Sequence, residues 1–123
     1  MKVNWEGVLP AVTTKFTKDD TLDMTMFSVN IEAQLQAGVN GIILGGTLGE
    51  ASTLTDEEKK TLVTETVRMV EGKVPVIINI AEQSTTNAID AAHKAEKYGA
   101  QGIMMLPPMR YKATDYETLR YFK

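Results

Sequence analysis

Cysteine is absent from this chain of 123 residues, and histidine occurs once, as His93. The first absence excludes a disulfide framework, a thiolate zinc site and a cysteine nucleophile. The second excludes a site built on several imidazoles, so no metal and no cofactor is expected. Long apolar runs are missing as well. None approaches the roughly 18–20 residues of a membrane helix, and no membrane partner is expected. Excess positive charge is lacking: 13 Lys and Arg stand against 16 Asp and Glu, a net charge of −3. That balance argues against a nucleic-acid partner, whose footprint is basic. No apolar segment follows Met1-Lys2-Val3-Asn4-Trp5, so no signal peptide is expected there. What is present is 43% hydrophobic residues. That is enough for one core of ordinary size in a soluble, cytoplasmic domain spanning 1–123, without a second domain.

Short apolar runs alternate with amphipathic stretches. Val8 to Thr14 reads as a first strand, with Pro10 near its start. Phe27, Ile31 and Leu35 recur at helical spacing and Gly38 stands where a helix-terminating glycine belongs. Gly41 to Gly45 is a second strand. Thr55-Asp56-Glu57-Glu58 fits a capping box, opening a helix through Leu62, Val63, Val67 and Val70 to Gly72. Pro75 to Ile80 is a third strand. Ser84 or Thr85 caps a helix carrying Ile89, Ala92 and Ala95 that stops at Gly99, and Gly102 to Leu106 is a fourth strand. Thr114-Asp115-Tyr116-Glu117 is another capping box; its helix, with Leu119 and Phe122, meets no stop signal before Lys123.

The strand cores are apolar without alternation, the pattern of parallel strands covered on both faces. Gly38-Val39-Asn40-Gly41-Ile42-Ile43-Leu44 resembles Gly99-Ala100-Gln101-Gly102-Ile103-Met104-Met105-Leu106. The copies stand about 60 residues apart, room for two βα units of about 30 residues each. Two α/β architectures accept this pattern: an open doubly wound sheet, or the first half of a (β/α)8 TIM barrel of ~250 residues. The missing stop after the last helix leans toward the half-barrel, with about four βα units.

In both, function collects where strands end and helices begin. Those junctions are 13–16, 45–53, 79–84 and 107–112. Gly45-Gly46-Thr47-Leu48-Gly49-Glu50 is the sharpest feature. Glycines let backbone amides approach a ligand, and a carboxylate suits the Thr47 hydroxyl and adjacent amides. It is neither a P-loop nor a dinucleotide fingerprint. The competing reading is a glycine-bearing turn whose threonine serves local backbone groups. Glu50 reads as a carboxylate that fixes the loop rather than a general base. After the fourth strand, Arg110 offers a bidentate partner for a carboxylate. Lys15 and Lys112 are amines at strand ends, and each reads more readily as a solvated loop cation than as a Schiff-base nucleophile. His93 reads as a surface or helix-packing residue, Met104 and Met105 as core filler, Trp5 as an N-terminal anchor, and Tyr116 and Tyr121 as packing residues.

An ordered set of residues then resembles a known family. It comprises Pro10-Ala11-Val12-Thr13-Thr14-Lys15-Phe16, Gly46-Thr47-Leu48-Gly49-Glu50 with Ser52-Thr53-Leu54 and Glu57-Glu58-Lys59, Ala95 to Gly102, and Pro107-Pro108. Together these resemble the dihydrodipicolinate synthase/N-acetylneuraminate lyase family, over nearly the whole chain. The resemblance selects the half-barrel. It implies a lyase of class I aldolase type in which a sixth-strand lysine condenses with the carbonyl of a 2-oxo acid such as pyruvate, and a fifth-strand tyrosine moves protons. It implies that Thr47 is the relay threonine, that Gly46, Thr47 and Leu48 hold the substrate carboxylate, and that Glu50 braces the loop. Leu48 stands where a second threonine is usual, and Pro108-Met109-Arg110 stands where synthases carry Pro-Tyr-Tyr. Arg110 therefore replaces a phenol that completes the relay across a subunit interface in a homo-oligomer. These departures imply a sibling enzyme: a sugar-acid aldolase or dehydratase, or a pyrroline-carboxylate deaminase. With the fifth and sixth strands absent, the chain alone is expected to be inactive. The alternatives are a self-contained open α/β binding or interaction module, and a half-barrel that pairs with its own copy.

Overall fold

A computed structural model describes residues 3–123. In chain order it contains α1 (Met24–Gln36), β1 (Ile42–Leu44), a 3-10 turn at Thr47–Gly49, α2 (Asp56–Val70), β2 (Val76–Ile80), α3 (Thr85–Lys97), β3 (Gly102–Met105) and α4 (Asp115–Phe122).

The three strands are parallel and lie in the order β1-β2-β3, Ile43 opposite Ile77 and Asn79 opposite Met104. Each strand thus adds beside its predecessor on the same side. A doubly wound sheet reverses direction at its switch point, whereas a barrel does not. The helices also share one face. Ile42 and Leu44 of β1, with Val76 and Ile78 of β2, join Phe27 and Ile31 of α1, Leu62, Val63 and Val70 of α2 and Ala95 of α3 in one buried cluster. Strand residues two apart share a face, so Ile43, Ile77, Asn79 and Met104 belong to the opposite, helix-free face. In a closed barrel that face is the interior.

Two expectations need correction. The first strand, expected over 8–14, is reduced to a single parallel bridge, Ala11 to Ile43. Val12 N donates to Ile43 O, and Ile43 N to Pro10 O, at 3.0 and 2.9 Å. Pro10 has no N–H to extend the ladder, and the segment lies at the sheet edge. Burial on both faces holds for β2, buried throughout, but not for β3, where Ile103 and Met104 are exposed. Met104 is therefore not core: it lies on the helix-free face of β3, which has no strand beyond it among the described residues.

Helix boundaries follow their caps. Thr55 and Glu58 form the expected capping box, as do Thr114 and Glu117, and Ser84 caps α3 through Asn87 N. Asp23 caps α1 through Met26 N at 2.9 Å. Gly38 follows α1 with φ +78°, a left-handed conformation that glycine takes without strain. Inward-facing positions of α3 are Ala88 and Ala95, while Ile89 is exposed. Trp5 is half exposed, yet its ring lies over Gly102, where a Cβ would come within 2.5 Å of Cη2. His93 is exposed.

Candidate functional site

The C-terminal ends of β1 and β2 and the start of the segment after β3 meet at one rim of the sheet. After β1 the chain passes through Gly45, at φ +61°, and extended Gly46 into the turn Thr47–Gly49. The turn is closed locally: Gly49 N and Ala51 N donate to Gly46 O, and Glu50 N to Thr47 O. Gly46 and Gly49 are buried, while Thr47 and Leu48 are exposed. Buried Thr14, at the end of the first segment, donates its hydroxyl to Gly49 O. The Glu50 carboxylate makes no hydrogen bond among the described residues, and the bond that reaches the turn from elsewhere in the chain is that of Thr14.

Thr47 borders a cavity of about 280 Å3 with Ser52, Lys59, Asn79, Glu82 and Leu106. Lys59 and Glu82 form an ion pair at 3.8 Å in its wall. Asn79 is buried, and its Oδ1 has no hydrogen-bond partner among the described residues.

Arg110 lines a different cavity of about 360 Å3, with Lys112, Glu117 and Tyr121. Gln83, in the turn after β2, borders both cavities. The structure therefore sets Gly46, Thr47 and Leu48 together and Arg110 in an adjoining pocket. Arg110 is exposed, with its guanidinium carbon 6.0 Å from the Tyr111 ring centroid. Tyr121 donates its hydroxyl to Leu106 O at 3.2 Å, fixing α4 to the end of β3. Burial, aided by the nearby Glu82 charge, pushes its phenol up. Tyr116 is exposed and packs little.

Sequence reasoning did not single out Thr14, Asn79 or the Lys59–Glu82 pair. Asn79 had a signal, as the one polar residue in the run Val76–Ile80. Thr14 lies in a strand-end junction and, with Lys59, in the motifs of the resemblance, but their pairings had no signal, since the partners lie 35 and 23 residues away. No group of three or more acidic or histidine side chains able to hold a metal occurs among the described residues, and no described helix is long and apolar enough to cross a membrane.

Comparison with known proteins places this geometry. A family model of the dihydrodipicolinate synthetase family matches residues 4–123. The 4-hydroxy-tetrahydrodipicolinate synthase of Thermotoga neapolitana is 35% identical over 119 residues, which cover 97% of this chain and 40% of the relative. That of Methanoculleus marisnigri is 35% identical over 120 residues, 96% of this chain and 41% of the relative. Among solved structures, dihydrodipicolinate synthase from Thermotoga maritima matches with a TM-score of 0.92 at 34% identity, over 95% of this chain and 39% of that one. A prophage protein of the dihydrodipicolinic acid synthase family from E. coli K12, solved in complex with pyruvate, matches with a TM-score of 0.88 at 32% identity, over 96% and 40%. The chain thus spans about 40% of the length of the relatives it matches. Its singly wound βα units are the beginning of a (β/α)8 barrel, and the chain belongs to the dihydrodipicolinate synthetase family.

Proposed function

We propose that this chain carries the substrate-carboxylate loop of a Schiff-base-forming lyase acting on pyruvate or a related 2-oxo acid. The observation that carries the reading is the position of Thr47. It stands in a glycine-bounded turn at the C-terminal end of a barrel strand, on the wall of a cavity, in a chain of this family. Barrel enzymes place their chemistry at that end. In the proposed reaction an amine condenses with the C2 carbonyl and water leaves. The resulting imine then withdraws electrons while bonds beyond C2 form or break, by aldol condensation or cleavage, dehydration or deamination. The amine belongs to a lysine that the family resemblance assigns to a sixth strand, which has no counterpart among these units.

Within this chain, amides of Gly46, Thr47 and Leu48 hold the substrate carboxylate, and the Thr47 hydroxyl passes a proton. The Leu48 side chain adds no hydroxyl. Arg110 meets an acidic group at the distal end of the substrate or reaches across a subunit interface of a homo-oligomer. Its place in an adjoining cavity that shares Gln83 with Thr47's supports the first of these. The pyruvate complex of the E. coli K12 relative supports the 2-oxo acid class.

Borohydride trapping with pyruvate, read by intact mass, tests the reading. The 123-residue chain alone forms no stoichiometric adduct, whereas the chain continued by four further βα units of the family forms one. In that longer protein Thr47→Val lowers kcat by about 10²–10⁴-fold, the usual yield of a positioned proton-transfer group. An adduct on Lys15 or Lys112 of the isolated chain, or full turnover by Thr47→Val, overturns the assignment.

A further inference from the structure

We propose that Thr14 is a positioning residue for the Thr47 loop: its buried hydroxyl, bonded to the Gly49 carbonyl, sets where Thr47 stands at the strand end. The proposal rests on the reading of Thr47 given above, but its geometry does not. Residues 47–51 are held by a short 3-10 turn whose own bonds are local, and such turns have poorer hydrogen-bond geometry than an α-helix. Among the described residues, the only hydrogen bond joining 47–51 to another part of the chain is the one from Thr14 Oγ1 to Gly49 O.

The attachment is directed at the sheet. Thr14 follows Val12, whose N–H donates to Ile43 O of β1, so the hydroxyl refers the loop back to the strand from which it springs. Gly49 leaves room for the close approach. A Cβ there would lie 3.1 Å from Val12 O, so the turn and the first segment would have to give by a few tenths of an ångström. Thr14 is 7% exposed and does not border Thr47's cavity. It therefore acts through the loop and touches no substrate. Valine matches its shape and lacks the donor; the Gly49 carbonyl then loses its partner in a buried place. Serine keeps the donor.

Amide hydrogen exchange in the 123-residue chain is the first test. In Thr14→Val, exchange at Glu50 and Ala51 rises roughly 3- to 10-fold, the range in opening that one net hydrogen bond controls. Exchange at Leu62 and Val63 of α2 stays unchanged, and Thr14→Ser restores the wild-type rates. Thr14→Ala repeats the comparison if the valine variant does not fold. Unchanged rates at 50–51, or a rise spread equally over α2, overturns the proposal. The second test is turnover of a 2-oxo acid by the longer protein. Thr14→Val lowers kcat about 10- to 100-fold, as a displacement of about 1 Å does, with KM within about twofold, and Thr14→Ser recovers it. A loss in KM alone, or no recovery by serine, also overturns it. If the wild-type longer protein traps no pyruvate, the functional reading fails, while the exchange result still decides the position of the loop.

Discussion

Helices α2 and α4 begin in the same way and end in opposite circumstances. Both open with a Thr–Glu capping box with further acidic residues in the first turn. Yet α2 buries Leu62, Val63, Thr66 and Val70, whereas α4 buries nothing and leaves Tyr116, Leu119 and Phe122 exposed. The strands before them differ likewise: β1 is flanked by β2 and the first segment, while β3 has β2 on one side only. Local sequence is enough to start a helix. Burial needs the next βα unit, and α4 has none beside it in this chain. The buried cluster lies around β1 and β2, and the β3 side is open.

The largest effect that tests this contrast is a matched pair of truncations. Leu62→Ala removes a side chain that is 1% exposed, and should cost 2–5 kcal/mol, about the range for a buried leucine. Leu119→Ala removes one that is 59% exposed, and should stay within about 0.5 kcal/mol. Urea denaturation of the chain reads both. Equal costs would mean that α4 is covered in solution.

Such cover would come from association, the next effect in size. Ile103, Met104, Leu106, Leu119 and Phe122 present apolar surface along an edge strand and the segment and helix that follow it, and open edges with apolar flanks recruit other chains. Sedimentation of the isolated chain should show dimers or larger species, and Leu119→Glu with Phe122→Lys should shift them toward monomer. A monomer at high concentration contradicts the open side.

This contrast also separates what could be read in the sequence from what could not. Capping boxes, glycine stops and apolar strand runs act between residues a few positions apart, so α2, α3, β2 and the turn at Thr47 stand where pattern reading puts them. Pattern cannot report which neighbour is missing. Met104 reads as core in an apolar run and is exposed because β3 is the edge of the sheet among the described residues. Val8 to Thr14 reads as a strand but pairs through one residue, Ala11. At the site, Thr47 is legible because glycines flank it. The bond of Thr14 to the turn is not, because its partner is 35 residues away. Asn79 is visible as a polar intruder, but its unpartnered oxygen is a property of packing.

The smallest effect concerns charge, and it too divides the two helices. Lys94 of α3 reaches both Asp56, in the first turn of α2, and Asp90, each at 2.7 Å. Its hydrogen bond and positive charge hold the Asp56 carboxyl below the usual carboxylate range, and the two carboxylates in turn raise the Lys94 ammonium. At α4 the Thr114 N–H and hydroxyl hold the Glu117 carboxyl low, within the helix's own capping box. A carboxyl whose folded pKa is depressed contributes stability above its unfolded value, near 3.9 for Asp and 4.3 for Glu, and loses it as pH falls through the folded value. The raised Lys94 contributes below its unfolded value, near 10.4, and loses that only as pH rises through its folded one. The bridge is therefore intact at neutral pH and fails in acid. Asp56→Asn should lower the urea midpoint slightly at neutral pH, and the difference from wild type should vanish well below about pH 4. Both partners are substantially exposed, at 39% and 63%, so the difference should be small and shrink with added salt. Glu117→Gln should leave that midpoint nearly unmoved, because its bonds stabilise only a helix that buries nothing. A midpoint loss for Asp56→Asn that persists in acid and in salt would show that the aspartate acts through packing or capping of α2 and not through its charge on Lys94.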